Sequence, residues 1–247
     1  MLDADEISEL AKLRNVKPWQ EEKRYVLCLL LYALSEEKII LKGGTYLWLF
    51  HGLNRYSEDL DFLEEGKLKD DLTEKVSKKL GLFGVESKIK IIKNDEYTFS
   101  FRTEIKGPLY AVKKNLCYTY VEISKRERHL LLPLTVKLDE PRYVIPITQV
   151  KGMNLQEVAA EKVRGVIARN VSRDVYDLWF LIKKLGIKVN QEHVEKKLSF
   201  YGFSFSYDLL KLKVDEHRKS WERELKPIIF GPLPAYDDVI NQILEAF

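Results

Sequence analysis

The residues whose types and spacing point most directly to chemistry are two acids one position apart, Asp59-Leu60-Asp61. In a strand, alternation sets both carboxylates on one face and Leu60 on the other. Like charges held this close repel, and a hard cation such as Mg2+, which takes oxygen ligands and often brings phosphates with it, relieves the repulsion. Thirteen residues separate Asp59 from the end of the run Gly43-Gly44-Thr45. Adjacent glycines let the backbone turn tightly and leave its N–H groups bare to a ligand. A helix just past them, Tyr46 to Phe50, aims unpaired N–H groups at an anion. Lys38 to Phe62 thus supplies both a phosphate cradle and a metal seat. Arg55 and Ser57 stand just ahead of the acids, where they could hold a triphosphate or order the loop; Arg55 could equally tether Asp59 or Asp61. Taken singly, the glycines are an ordinary strand–helix turn and the acids are charges on an edge strand. Together, in this order, they favour the chemical reading.

The elements that must position these groups follow from periodicity. Ile39-Ile40-Leu41 is a short strand leading into the glycines. Before it, residues 3–14 form a short amphipathic helix. Pro18 suits the first turn of a second helix, Trp19 to Glu37, whose apolar residues Tyr25, Val26, Leu29, Leu30, Ala33 and Leu34 share a broad face. Residues 67–80 form a surface helix in which Glu74 and Lys78 pair across one turn. From about 84 to 149 the pattern is that of strands: Val85 to Ile92, Tyr97 to Ile105 after a turn at Asn94-Asp95, Asn115 to Ser124, and shorter ones at 130–138 and 143–149. From Asn154 the period becomes helical, over 155–169, 173–184, 191–200, 204–224 and 235–247. Ser172 is placed to cap the helix at 173–184, which Gly186 ends. The fold class is α+β, a mixed sheet with flanking helices followed by a helical C-terminal region. Domains of 1–152 and 153–247 meet in Val150–Asn154.

A seat for two metal ions asks for a third acid. Glu122 is the best candidate, a lone acid among β-branched residues in a predicted strand, where Glu is disfavoured. The alternative is a solvent-facing residue paired with Lys125 or Arg126, and Asp139 competes for the same role. A second cluster lies in the helical half: Glu157, Glu161-Lys162 and Arg164, then Arg169, Arg173-Asp174, Tyr176 and Asp177. On the residues alone, Lys162 is a solvated helix lysine, Asp174 a favourable first-turn acid, and Asp177 the partner of Arg173 one turn back.

The pair Gly43-Gly44-Thr45 and Asp59-x-Asp61 resembles the signature of the nucleotidyltransferase fold superfamily. The fuller string, Lys42 to Thr45 and then Arg55-x-Ser57-x-Asp59-Leu60-Asp61-Phe62, resembles the AbiEii/AbiGii toxin family of type IV toxin–antitoxin and phage-abortive systems. Its downstream motifs are similar to Ala160-Glu161-Lys162 and Arg173-Asp174-x-Tyr176-Asp177-Leu178, and its second strand motif to Tyr120–Ser124. The resemblance implies a Mg2+- or Mn2+-dependent enzyme that moves a nucleoside monophosphate from an NTP to a hydroxyl, releasing pyrophosphate. It implies metal held by Asp59, Asp61 and Glu122. It implies nucleotide bound by Gly43, Gly44, Thr45, Arg55 and Ser57. It makes Lys162 and Asp174 essential, Lys162 touching phosphate and Asp174 orienting it or helping to activate the acceptor hydroxyl. It also implies an RNA acceptor, the 3′ end of tRNA, and a cognate antitoxin. Tyr46-Leu47-Trp48 and Tyr56 depart mildly from the usual pattern. The resemblance covers about residues 20–185 and leaves the last sixty or so unmatched. Two other readings stay open: a module that binds GTP or another nucleotide and acts through a protein partner, and a transferase with a small-molecule acceptor.

Composition narrows the classes further. The chain is 45% hydrophobic and 11% aromatic, enough for a sizeable core, and its 41 basic against 38 acidic residues do not by themselves call for nucleic acid. Cys28 and Cys117 sit in apolar runs and read as buried thiols; no Cys/His cluster has zinc spacing. His51, His129, His193 and His217 are far apart in sequence and form no hydrolytic triad. Tyr118 and Tyr120 read as sheet packing more than as base stacking. The acidic start lacks a signal peptide's pattern, and the longest apolar run, Val26 to Leu34, is too short to span a membrane, which gives a cytoplasmic reading.

Overall fold

The alternation in the sequence builds one seven-stranded mixed sheet. In the computed structural model, which describes residues 1–112 and 115–247, the chain divides into two compact units. The first comprises Met1–Tyr46, Glu58–Arg128 and Pro133–Gly152; the second comprises Leu47–Ser57, His129–Leu132 and Met153–Phe247.

The first unit opens with helices α1 (Ala4–Arg14) and α2 (Pro18–Leu34), then strand β1 (Ile39–Lys42). Helix α3 (Gly43–His51) starts here, and its residues from Leu47 onward belong to the second unit. Next come β2 (Leu60–Glu64), α4 (Leu72–Gly81), β3 (Glu86–Asn94), β4 (Thr98–Lys106), β5 (Cys117–Ser124), β6 (Leu134–Leu138) and β7 (Thr148–Gly152). The sheet order is β3-β4-β5-β2-β1-β7-β6. The pairs β2/β5 and β1/β7 are parallel and the others antiparallel. α1 starts with a capping box, Asp3 exchanging bonds with Glu6, whereas at α2 only the Gln20 side chain takes part, accepting the Lys17 N–H at 3.0 Å. Helix α2 is buried almost all round because it packs on α1, α4 and β5. Its three charged residues at the inner start are bonded: Glu21 accepts the Tyr143 hydroxyl at 2.6 Å, Glu22 accepts the Leu109 N–H at 2.7 Å, and Lys23 donates to the Tyr118 carbonyl. Cys28 and Cys117 are buried, and burial pushes each thiol up to about 12.

The second unit holds α5 (Leu155–Ala168), α6 (Ser172–Trp179), α7 (Gln191–Ser199), α8 (Tyr207–Glu216), α9 (Trp221–Leu225) and α10 (Tyr236–Leu244). A π-helical turn, Phe180–Lys184, extends α6, and Gly186 at φ +66° follows it. The α+β class, the central sheet and the helical second half agree with the sequence reading.

Three elements differ from expectation. The strand expected at 143–149 is instead a 3-10 turn, Pro141–Tyr143, and then β7. Pro141 and Pro146 have no N–H to give a ladder, and Val144 turns the chain at φ +54°. The strand expected at 130–138 begins only at Leu134, beyond Pro133. The helix expected at 204–224 is split by a 3-10 turn, His217–Lys219, where the Ser220 hydroxyl bonds the His217 carbonyl.

The seam between β1 and β7 depends on one glycine. A Cβ on Gly152 would lie 2.4 Å from the ring of Tyr46, which is fully buried. Gly152→Ala is expected to destabilise the protein by about 1–3 kcal/mol through overpacking. Gly81→Ala, whose Cβ meets nothing within 4 Å, is expected to leave stability unchanged or slightly raised. Urea unfolding of the two variants checks this.

Candidate active site

In the first unit the acids are set by strand register. β2 is a strand because Leu60, Phe62 and Leu63 bury in the core; β5 buries Val121 and Ile123 likewise. Their parallel pairing places Asp61 directly beside Glu122 and Leu60 beside Val121. Neighbouring strands are about 4.8 Å apart, so the two carboxylates emerge side by side on one face. Asp59, just before β2, is on the same parity and is tied down twice. Its carbonyl accepts the Thr45 hydroxyl at 2.5 Å, and its Oδ1 accepts the Tyr120 N–H at 3.2 Å. Asp59 and Glu122 are exposed and Asp61 is half-buried. Asp139 is paired with Lys137 at 2.6 Å, after β6 at the far edge of the sheet.

The glycine run meets these acids directly. Gly43 takes φ +74°, and a Cβ there would stand 2.5 Å from the Asp61 Oδ2. Only glycine lets the backbone lie against that carboxylate. Thr45 is fully buried, and its hydroxyl links the start of α3 to Asp59. Asp59, Asp61 and Glu122 offer hard oxygen donors of the kind Mg2+ and Mn2+ take, and register delivers two of them together. As the side chains stand, no three His, Cys, Asp or Glu among the described residues are gathered closely enough to hold a metal ion. Closing three acids on one ion would require side-chain rotation, including release of the Asp59 Oδ1 from the Tyr120 N–H.

In the second unit a buried ion cluster joins α5, α6 and the segment 47–57. Lys162 Nζ bonds Asp174 at 2.9 Å and Asp177 at 2.6 Å. Arg55 grips Asp177 with two parallel bonds, 2.6 Å and 2.7 Å, and donates to the Tyr56 carbonyl at 3.0 Å. Arg169 reaches the other oxygen of Asp174 at 2.8 Å from a more exposed position. α5 and α6 approach this closely because Gly165 faces Asp174: a Cβ there would lie 2.6 Å from Asp174 Oδ2. Burial opposes every charge in the cluster, and the partners outweigh it. Asp177 is held at about 2 by Arg55 and Lys162, and Asp174 lies below the ordinary carboxylate range. Lys162 and Arg55 are held above their ordinary values by the two aspartates.

Several sequence readings change here. Lys162 is a buried, doubly paired ammonium rather than a solvated helix lysine. Asp177 pairs with Arg55 and Lys162 rather than Arg173, because it points inward from α6. Arg55 likewise holds Asp177, not Asp59 or Asp61. Ser172 is the first residue of α6 rather than its cap; its N–H donates to Glu224 at 2.9 Å and its hydroxyl meets that of Ser220 at 2.6 Å. Tyr118 and Tyr120 are not buried in the sheet: alternation turns them outward with Glu122, 38% and 46% exposed. A further buried cluster escaped the sequence reading. Lys197 on α7 meets Glu157 at 2.7 Å and Glu161 at 3.3 Å, and Glu157 also accepts the Leu130 and Leu131 N–H groups. The only advance signal was two acids four residues apart on α5, Glu157 and Glu161.

Comparison with known proteins places this arrangement in a class. The model of the nucleotidyl transferase AbiEii toxin family, type IV toxin–antitoxin system, matches residues 26–242. The chain belongs to that family and is a nucleotidyltransferase of the AbiEii toxin type. The match runs well past residue 185, so most of the last sixty residues belong to the family's shared region. Among solved structures, the nucleotidyltransferase toxin MenT4 from Mycobacterium tuberculosis is similar with a TM-score of 0.66 at 18% identity, covering 100% of this chain and 89% of that one. JHP933 from Helicobacter pylori is similar with a TM-score of 0.59 at 18% identity, covering 93% and 90%. These likenesses concern the fold. No curated protein sequence matches the chain.

Two outcomes follow. Asp177→Asn leaves Arg55 and Lys162 short of buried counter-charge and is expected to destabilise the protein by about 3–5 kcal/mol. Because the Asp177 carboxyl is depressed to about 2 in the folded state, against about 3.9 unfolded, its contribution is full above about pH 5 and is lost as pH falls toward 2. Denaturant unfolding across this range should show a shallower acid loss in the variant. Gly43→Ala combines a left-handed φ with displacement of Asp61, and is expected to reduce nucleotidyl transfer at least about 100-fold while the chain still folds, as judged by circular dichroism.

Proposed function

We propose that the protein transfers a nucleoside monophosphate from an NTP to a hydroxyl at the 3′ end of an RNA, with Mg2+ or Mn2+, and that this activity makes it the toxin of a pair with a cognate antitoxin. The observation that carries the reading is the side-by-side placement of Asp61 and Glu122, with Gly43 laid against Asp61. Family membership supports the transferase class and the expectation of an antitoxin; the resemblance of the motifs supports tRNA as the acceptor.

In this reading Asp59, Asp61 and Glu122 hold the metal, whose contribution when bound is to neutralise phosphate charge and clamp the attacking and leaving oxygens. Gly43, Gly44 and the N–H groups at the start of α3 receive the triphosphate. Thr45 fixes that start relative to Asp59 through its hydroxyl bond. The acceptor hydroxyl attacks the α-phosphorus, its oxygen forming the new bond as the bond to pyrophosphate breaks. Glu122, exposed at the surface, is suited to receive the hydroxyl proton. Lys162, whose motif resembles that of the family's essential lysine, is bonded to Asp174 and Asp177. Asp174, already bonded to Lys162 and Arg169, serves as the group that orients the lysine rather than as a base. The Arg55 fork lies wholly on Asp177 and Tyr56, so its part is to hold the cluster; Ser57 keeps its proposed nucleotide contact.

Incubating the wild type with each labelled NTP, total tRNA and Mg2+ should incorporate label from at least one NTP. Asp59→Ala/Asp61→Ala should lower incorporation by more than about 1,000-fold. Absence of incorporation by the wild type with all four NTPs overturns the RNA-acceptor reading. In a bacterial host, expression of the wild type should arrest growth and the double variant should not.

A further inference from the structure

Among the described residues, one face of strands β3, β4 and β5 carries exposed or half-buried side chains. On their other face α4 packs on β3, with Ser77 and Ser87 hydroxyls 3.2 Å apart, and α2 packs on β5. Register then determines what shares the first face. Lys90 pairs with Arg102 and Arg102 with Tyr120, forming a row straight across the three strands; Lys88 and Tyr118 flank it in the adjoining row through Glu104. Two residues further along β5 stands Glu122, beside Asp61. Lys88 and Lys90 are exposed, and among the described residues neither is held in an ion pair.

The two tyrosines are 38% and 46% exposed, unusual for large aromatics in the middle of a sheet. Strand geometry spaces them about 6.7 Å apart on the same side. Arg102 stiffens the pair. Its guanidinium lies over the Tyr118 ring, 5.2 Å from the centroid, and is itself held by Glu104 at 2.5 Å, while Tyr120 lies opposite it in register on β5. Rigid aromatic rings standing out of a sheet, with lysines beside them, are what unpaired bases and their phosphates fit: every base has a face to stack, and each phosphate a charge to meet.

We infer that this face is the track on which the single-stranded end of an RNA acceptor lies, its bases stacked on Tyr118 and Tyr120 and its phosphates met by Lys88 and Lys90, so that its terminal hydroxyl is delivered along β5 to Glu122. The inference rests on the proposed RNA acceptor and adds where the acceptor binds and that the bound segment is unpaired. It also explains why an edge strand carries lysines on the side that faces the acids.

The test is fluorescence anisotropy with a short fluorescein-labelled single-stranded oligoribonucleotide, beside the tRNA transfer assay. The wild type should bind the oligonucleotide in preference to its blunt duplex. Tyr118→Ser/Tyr120→Ser should weaken binding at least about tenfold, and Tyr118→Phe/Tyr120→Phe, which keeps the rings, should stay within about twofold. Lys88→Glu/Lys90→Glu should weaken binding more than about tenfold and flatten its salt dependence. All these side chains are exposed, so thermal unfolding should be unchanged. Unaltered binding in the serine and glutamate variants, or no binding by the wild type, overturns the inference and leaves the face to a protein partner. If the wild type transfers nucleotide to tRNA and the surface variants transfer as well as it does, the track is wrong and the proposed activity stands. If the variants lose binding but the wild type transfers to no RNA, the track stands and the proposed activity falls.

Discussion

A carboxylate resting on a glycine recurs in both units of the chain. Asp61 lies against Gly43 in the first unit, and Asp174 against Gly165 in the second, each within 2.6 Å of where a Cβ would be. In both, the missing side chain decides how near one backbone segment comes to another, and so where an anion is fixed. Glycine in regular structure costs about 0.5–1 kcal/mol relative to alanine. Here that cost secures a position no other residue allows. Thr45 extends the same arrangement by bonding the Asp59 carbonyl, so the glycine run and the acid strand cannot shift separately.

The cluster around Lys162 illustrates a different balance. Two cations and two anions, Arg55, Lys162, Asp174 and Asp177, are removed from water together. Desolvating four ions is expensive, and an apolar set of similar volume would often be as stable. Stability alone is therefore a poor explanation. What the ions supply is directionality: the Arg55 fork accepts Asp177 in one plane, and the Lys162 ammonium sits between two carboxylates whose positions α6 fixes. The neighbouring set of Lys197, Glu157 and Glu161 repeats the pattern on α7 and ties it to the backbone at Leu130 and Leu131.

Much of this was legible in the chain because it is local. The spacing of Asp59 and Asp61, the glycine pair, and the helical period of α2 and α5 are properties of short windows, and Glu122 stood out as the wrong residue type for its strand. What was not legible depends on partners distant in sequence. Asp177 had a plausible partner one turn away in Arg173, but its actual partner, Arg55, is 122 residues distant. Lys197 gave no sign that it was buried. Tyr118 and Tyr120 carry the β-propensity of core residues, and only the sheet's layering shows that they are exposed. The two misplaced strands failed on prolines, whose missing N–H outweighs an otherwise favourable alternation.

The two cysteines have a bearing on how the folded protein meets its chemical surroundings. The thiolate is the reactive form, and with each thiol pushed to about 12 the ionised fraction near neutrality is on the order of one in 10⁵. Alkylating agents and disulfides thus meet neither thiol in the native fold. Sulfhydryl labelling becomes a signal that only unfolding turns on, and the chain carries in Cys28 and Cys117 two built-in reporters of the integrity of its sheet-bearing unit.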